Sequence, residues 1–249
     1  MVKILLNGCN GRMGQMISHT SLSFNNLEIV AGVDINTSVN SSYPIFSKLE
    51  DCDVEFDVVL DFSSVKSLDS LLSFCIPKNL PLVLCTTGYT QEQLEEIKKA
   101  SEKIPVFKSA NMSIGINIVN NILKQISSKL FKDFDIEIIE KHHNQKLDSP
   151  SGTALLLANS IKDSIQEETE FVYGREGIAK REKKEIGIHA VRGGSIVGDH
   201  DVVFAGSGEI IEIRHSAISR EVFAVGALRA SEYMYKKAPG MYDMDDVLK

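Results

Sequence analysis

Residues 2–14 read VKILLNGCNGRMG. Val2–Leu6 is a short apolar run of the kind that fills a buried strand, and Asn7-Gly8 ends it. Beyond the turn, Met13, Met16, Ile17 and Thr20 share one helical face. A strand, a glycine-spaced turn and a helix therefore open the chain. The order matters because a helix N-terminus exposes unpaired N–H groups and the positive end of its dipole. Glycines let the backbone bring those groups close to a pyrophosphate. The spacing is G-x-x-G-x-x-G, with Asn10 in place of a middle glycine. Asparagine tolerates the left-handed backbone region, so the turn stays feasible.

Working outward, Leu27–Val33 is a second strand and ends at Asp34, 20 residues after Gly14. That is where a dinucleotide fold places a carboxylate for the adenosine ribose hydroxyls. Gly8, Cys9, Asn10, Gly11, Arg12, Met13 and Asp34 are thus expected to hold a dinucleotide. A carboxylate repels a 2′-phosphate, and Ile35, Asn36 and Thr37 supply no cation, so NADH is expected over NADPH. Arg12 could reach an added phosphate, so some NADPH use is expected as well. A glycine-rich turn without a ligand is the plain alternative.

Residues 36–56 are polar and read as irregular. Further strands are expected at Phe56–Phe62, Leu82–Leu84 and Val106-Phe107. Helices are expected over Val65–Cys75 and after Thr90, where Gln93 completes a capping box. Mostly continuous apolar strands alternating with helices predict a doubly wound parallel sheet through about residue 110. The pattern then becomes α+β. A helix is expected over Gly115–Leu130, a strand over Phe134–Glu140 and another helix after Thr153. The charged stretch 167–185 reads as a loop. Strands at Glu185–Arg192, Ser195–Ala205 and Gly208–His215 read as an antiparallel meander, followed by a helix over about Arg220–Lys236 and a short tail.

The chain has 249 residues, 43% of them hydrophobic, which supplies ample core for one large or two small domains. A net charge of −7 gives no global attraction to nucleic acid or an anionic membrane. Any anionic ligand must therefore be held by a local cluster of cations. Cys9, Cys52, Cys75 and Cys85 have neither zinc nor disulfide spacing, and no long apolar run or leader is present. A cytoplasmic protein is expected.

Such a cation cluster occurs at 140–154, EKHHNQKLDSPSGTA. His142, His143 and Lys146 follow a strand, and a helix begins near Gly152-Thr153, with Ser151 or Thr153 as its cap. Imidazole titrates near neutral pH and can pass a proton, and the helix start adds N–H donors. The combination suits a small dicarboxylate. Metal binding is not expected: adjacent histidines on a strand point to opposite faces, and no further ligand sits at helical spacing. A nucleotide carrying hydride and a cationic, proton-donating pocket together suggest a reductase.

The chain resembles the 4-hydroxy-tetrahydrodipicolinate (dihydrodipicolinate) reductase family. The resemblance rests on GCNGRMG (8–14), EKHHNQKLDSPSGTA (140–154), CTTGY (85–89), SANMSIGINI (109–118), GREG (174–177), RGGSIVGDH (192–200) and HSAISR (215–220). It implies that His142 is the proton donor or acceptor and that Lys146 donates the proton during reduction. It also implies that His143, Gly152 and Thr153 bind the substrate carboxylates. Cys85, Thr86, Thr87, Ser109, Ala110, Asn111 and Met112 would line the nicotinamide side. Cys85 stands where many members carry glycine. The resemblance further implies a Rossmann-like nucleotide domain, 1–112 plus 220–249, and an inserted α+β domain, 113–219, for substrate binding and homotetramer assembly. A swing of the second domain would bring His142 and Lys146 to the nicotinamide. Another NAD-dependent reductase of an amino-acid-like dicarboxylate, and a non-catalytic nucleotide sensor, are the alternatives. The intact His142 and Lys146 speak against the sensor.

Overall fold

In a computed structural model, the structure describes residues 1–39 and 41–249. The chain divides into two compact units, Met1–Ile114 with Arg220–Lys249, and Gly115–Ser219.

The first unit is a seven-stranded, all-parallel sheet. Its strands are β1 (Val2–Asn7), β2 (Leu27–Val33), β3 (Ile45–Phe46), β4 (Val58–Asp61), β5 (Leu82–Leu84), β6 (Pro105–Lys108) and β12 (Gly240–Tyr242), in the order β12-β6-β5-β4-β1-β2-β3. One face packs on α1 (Arg12–Ser21) and α6 (Glu221–Met234) through Ile4, Leu6, Ile17, Ala227 and Leu228. The other packs on α2 (Leu68–Lys78) and α3 (Gln91–Ser101) through Leu5, Val59, Leu71, Phe74 and Ile97. Burial on both faces explains why these strands read as continuous apolar runs. The expected capping box at α3 is present: Thr90 Oγ1 accepts from the Gln93 N–H, and Gln93 Oε1 accepts from the Thr90 N–H. Several short elements of this unit were not legible in the sequence. Residues 36–56 contain β3, only two residues long; residue 40 of that stretch lies outside the described residues. The tail is not merely a tail, because β12 extends the sheet beside β6 and α7 (Met244–Val247) follows it.

Sequential strands run outward from β1 in one direction and restart at β4 on its other side. The carboxyl ends of β1 and β4 therefore form the crevice where open α/β sheets bind ligands.

The second unit has α4 (Ile114–Leu130, its first residue in the first unit), β7 (Asp135–His142), α5 (Gly152–Ser164), β8 (Glu170–Tyr173), β9 (Glu185–Arg192), β10 (Gly198–Ala205) and β11 (Ile210–Ala217). The strand order is β11-β10-β7-β9-β8. Ile136, Ile138, Ile186, Ile188, Val202 and Phe204 pack against Leu123 of α4 and Leu157 and Ile161 of α5. These strands do not form the expected three-strand antiparallel meander. β10 and β11 do form an antiparallel pair, but β9 pairs in parallel with β7, which lies between β9 and β10. The link at 193–197 spans two inter-strand spacings, about 10 Å, which five residues cover easily. It passes the end of β7, where the Gly193 N–H donates to His142 O at 2.9 Å. The expected loop at 167–185 contains β8, parallel to β9. Four residues with half-exposed side chains carry too little periodicity to be read beforehand.

Candidate active site

In the first unit the glycine loop leaves β1 at Gly8, whose φ of +80° suits glycine. A Cβ at Gly14 would lie 2.2 Å from the Gly8 carbonyl oxygen, so the loop folds tightly onto the first turn of α1. Asn10 does not use the left-handed region. It ties the loop to the end of β2 instead: its N–H donates to Asp34 Oδ2 at 3.0 Å, and its amide donates to Asn36 O. The Asn36 N–H donates to Asp34 Oδ1 at 3.0 Å. Gly8, Gly11 and Asp34 line one cavity of about 590 Å³, together with Phe62, Ser63 and Ser64 after β4. Lys48 and Lys66 line it too. Neither is legible in the sequence, because only the placement of β2 and β4 around β1 brings them to the cavity of Asp34. A second cavity, about 470 Å³, is lined by Phe62, Ser63, Ser64, Cys85, Thr86 and Thr87. The shared residues join the two into a run along the carboxyl edge of the sheet, which suits an extended dinucleotide. Arg12 is exposed, Met13 packs partly against the core, and the Cys9 and Met112 side chains belong to the core. Ser109, Ala110 and Asn111 follow β6, where Ser109 Oγ donates to Asn111 O.

Beneath the second cavity lies Asp61, fully buried and unremarked in the sequence reading. It accepts from Asn7 Nδ2 and Thr86 Oγ1, each at 2.8 Å, and from the Ser63 hydroxyl and N–H. Burial pushes its carboxyl up, and these donors partly offset the shift. The carboxylate thus pins the ends of β1, β4 and β5 to one another.

In the second unit, alternation along β7 puts Glu140 and His142 on the same, buried face. Glu140 Oε2 meets His142 Nδ1 at 2.6 Å. The Arg192 guanidinium grips both Glu140 oxygens at 2.7 Å, and the Ser151 N–H donates to Oε1 at 2.9 Å. Burial opposes ionisation of Glu140, but Arg192, His142 and Ser151 outweigh it and hold the carboxyl below its usual range. Ser151 caps α5: its Oγ accepts from the Ala154 N–H at 3.1 Å. The same Oγ meets His200 Nε2 at 3.1 Å, and the His200 ring stands edge-on to His142 with centroids 5.2 Å apart. Burial and the neighbouring His142 press the His200 pKa down to about 4. Burial also lowers His142, with Glu140 working against the shift. His143 is half-buried at the turn, whose closing bond runs from the Lys146 N–H to His143 O. Lys146 Nζ pairs with Asp148 Oδ1 at 2.9 Å. Gly152 is exposed at the start of α5, beside Thr153.

His142, His143, Lys146, Gly152 and Thr153 are therefore gathered within one unit, at the end of β7 and the start of α5. Two family models cover almost the whole chain: dihydrodipicolinate reductase, N-terminus, over residues 2–112, and dihydrodipicolinate reductase, C-terminus, over 115–248. The chain belongs to the dihydrodipicolinate reductase family. It is 64% identical to the 4-hydroxy-tetrahydrodipicolinate reductase of Clostridium tetani over 248 residues, covering 100% of this chain and 97% of the relative. Against the same-named protein of Caldanaerobacter subterraneus subsp. tengcongensis it is 46% identical, covering 100% and 99%. It also resembles the solved dipicolinate-bound dihydrodipicolinate reductase from Paenisporosarcina sp. TG-14, with a TM-score of 0.82, 26% identity and coverage of 98% and 97%.

For a dihydrodipicolinate reductase family member, the sequence reading missed the supports of the site. Glu140 was open to inference, since it sits two residues before His142 on an alternating strand. Arg192 and His200 were not. They arrive through cross-strand register, Arg192 opposite His142 and His200 opposite Glu140. Among the described residues no cluster of His, Cys, Asp and Glu suits a metal ion, and no helix is long and apolar enough to cross a membrane.

Proposed function

We propose that this chain reduces 4-hydroxy-tetrahydrodipicolinate to tetrahydrodipicolinate, with loss of water, using NADH in preference to NADPH. The observation that carries the reading is the gathering of His142, His143, Lys146 and the α5 start in a chain of net charge −7. The names of the relatives support the substrate. So does the homologue from Paenisporosarcina, whose bound dipicolinate is a dicarboxylate.

The glycine loop, Asp34 and the two joined cavities fit a pyridine dinucleotide, which when bound would supply hydride. The Gly8–Met13 backbone and the α1 N-terminus would face its phosphates. Asp34 would accept from the ribose hydroxyls, and this supports the preference for NADH. Cys85–Thr87 and Ser109–Met112 would border the nicotinamide. In the other unit, His143, Thr153 and the N–H groups at Gly152-Thr153 would hold the substrate carboxylates. Lys146, whose ammonium is paired with Asp148 at 2.9 Å, would give the proton, and His142 would exchange one. Reaction requires the 1–112 plus 220–249 domain to present its nicotinamide to the 113–219 domain. The exposed Val191 and Ile210 on the five-stranded sheet support assembly through that sheet, which we read as a homotetramer. Four unpaired cysteines fit a cytoplasmic setting.

Steady-state oxidation of each reduced nucleotide with freshly made substrate tests the reading. Turnover with a higher kcat/KM for NADH is expected. Turnover only with another dicarboxylate, or nucleotide binding without turnover, would overturn it.

A further inference from the structure

We propose that Glu140 and Arg192 are positioning residues that fix His142 in the tautomer with hydrogen on Nδ1, leaving Nε2 as the nitrogen that exchanges the proton. The role of His142 rests on the function proposed above, whereas the tautomer rests on the geometry alone.

Donors and acceptors around the Glu140 carboxylate decide the tautomer. Glu140 is fully buried, and its carboxylate meets three N–H groups and the His142 Nδ1. Two of the N–H groups come from the Arg192 fork and one from the Ser151 backbone. A two-point guanidinium contact of this kind is made with an ionised carboxylate. An ionised carboxylate only accepts, so the hydrogen between Glu140 and His142 belongs to Nδ1. In neutral His142, Nε2 then presents a lone pair. It must take up a proton before it can return one, and the imidazolium so formed keeps Nδ1–H on an anion. Lys146, whose ammonium pairs with Asp148 at 2.9 Å, is therefore the donor at rest. On the side of β10, a Cβ at position 198 would lie 3.1 Å from Nε2, so Gly198 keeps bulk away from the reacting nitrogen.

The same carboxylate sets the other half of the cradle. Its bond to the Ser151 N–H hangs the N-cap of α5, and with it Gly152-Thr153, from the strand that carries His142. Arg192 Nη2 adds a bond to Asp148 O at 2.8 Å, which holds the turn between them. One partly buried ion pair thus sets the distance from the proton-exchanging ring to the carboxylate-binding helix end.

Glu140→Gln tests this almost isosterically. Gln has one acceptor where Glu has two, so its amide NH₂ turns towards Nδ1 and drives His142 to the Nε2–H form. Selective ¹⁵N-histidine labelling reads the tautomer directly, with single substitutions assigning the six histidines. The wild type should show Nδ1–H and the Gln variant Nε2–H. kcat should fall by about 10²- to 10³-fold, with NADH affinity within about twofold, and Glu140→Asp should recover part of the loss. The charged and titratable groups facing His142 are Glu140, Lys146, Arg192 and His200. Glu140 alone among the causes of the His142 shift raises it, so the limb of the pH profile due to His142 should move to lower pH in the Gln variant. Nε2–H in the wild type would overturn the proposal. An unchanged kcat and pH profile in Glu140→Gln with only a lower melting temperature would do the same. If that variant does not fold, the wild-type ¹⁵N shifts still decide. A wild type with Nδ1–H but no turnover would sink the proposed function and leave the tautomer standing.

Discussion

Under the proposed function, the glycine loop would meet its ligand with backbone N–H groups, and the side chains beneath them shape the turn. At the end of β7 the order is reversed. There side chains would meet the ligand, and the ion pair of buried Glu140 with half-buried Arg192 ties His142 to the start of α5. The first arrangement is local, drawn from one stretch of about a dozen residues and one aspartate at the next strand end. The second is assembled from β7, β9, β10 and the start of α5, so it depends on sheet register. A site for a pyrophosphate can be made by backbone, because its charge is spread over many oxygens. A site that must move one proton needs a titratable group whose hydrogen sits on a stated atom.

The contrast is sharpest at Lys146. If Lys146 is the proton donor proposed above, Lys146→Ala should lower kcat by about 10³-fold while NADH affinity stays unchanged. Stopped-flow turnover with fluorescence titration of NADH separates the two. A parallel fall in both would make Lys146 a structural residue and blur the division of labour between the regions.

Two glycines extend the comparison. At Gly14 a Cβ would sit 2.2 Å from a backbone oxygen, whereas at Gly152 nothing lies within 4 Å of one. Gly14→Ala should therefore destabilise the protein by about 3 kcal/mol or more through strain in the βα turn. Gly152→Ala should leave the urea midpoint unchanged and raise the substrate KM. Equal losses of stability would mean that the two glycine motifs serve the same steric purpose.

This contrast also explains what was legible in the sequence. The parallel sheet of the first unit followed from apolar runs alternating with helices, and GCNGRMG with Asp34 followed from strand, turn and helix in order. Local chemistry sufficed there. In the second unit the residues of 140–154 were legible, but their supports were not. Arg192 and His200 sit next to Glu140 and His142 only because β7 inserts between β9 and β10. A five-residue glycine-rich link is equally compatible with a hairpin, so spacing could not reveal the crossover. β12 and β3, at two or three residues each, draw their definition from the neighbouring strand and not from their own pattern. Lys48 and Lys66 share a cavity with Asp34 only once β2 and β4 are placed around β1.

The buried histidines of the second unit make the comparison sensitive to pH. With His200 pressed from 6.5 to about 4, the unfolded chain takes a proton below pH 6.5 that the folded chain does not. The stability contributed by neutral His200 is thus present above pH 6.5 and is lost as the pH falls towards 4, by about 3 kcal/mol. His142 and His215, also lowered by burial, act in the same direction. Urea midpoints measured from pH 7 to 4 should fall, and His200→Asn should flatten the slope. An unchanged slope in that variant would place the acid sensitivity elsewhere.

The smallest effect bears on the cavity that joins Asp34 to Lys48 and Lys66. Asp34 accepts from two backbone N–H groups, and under the proposed function it would also accept from ribose hydroxyls and so favour NADH. The lysines lie on the same cavity wall and offer the cations that the residues directly after Asp34 lack. Asp34→Ala should weaken NADH about tenfold, some 1.4 kcal/mol, and NADPH less, because removing the carboxylate also removes a repulsion. Lys48→Ala with Lys66→Ala should do the opposite, weakening NADPH and leaving NADH within about twofold, and the salt dependence of NADPH binding should shrink. Titration with adenosine 2′,5′-bisphosphate against 5′-AMP isolates the extra phosphate without any turnover. Were the double lysine variant to lose both nucleotides equally, the lysines would be supporting the cavity wall and not reading the ribose. Cofactor choice would then rest on Asp34 and the glycine loop alone, a second local feature of the region that was already legible from its sequence.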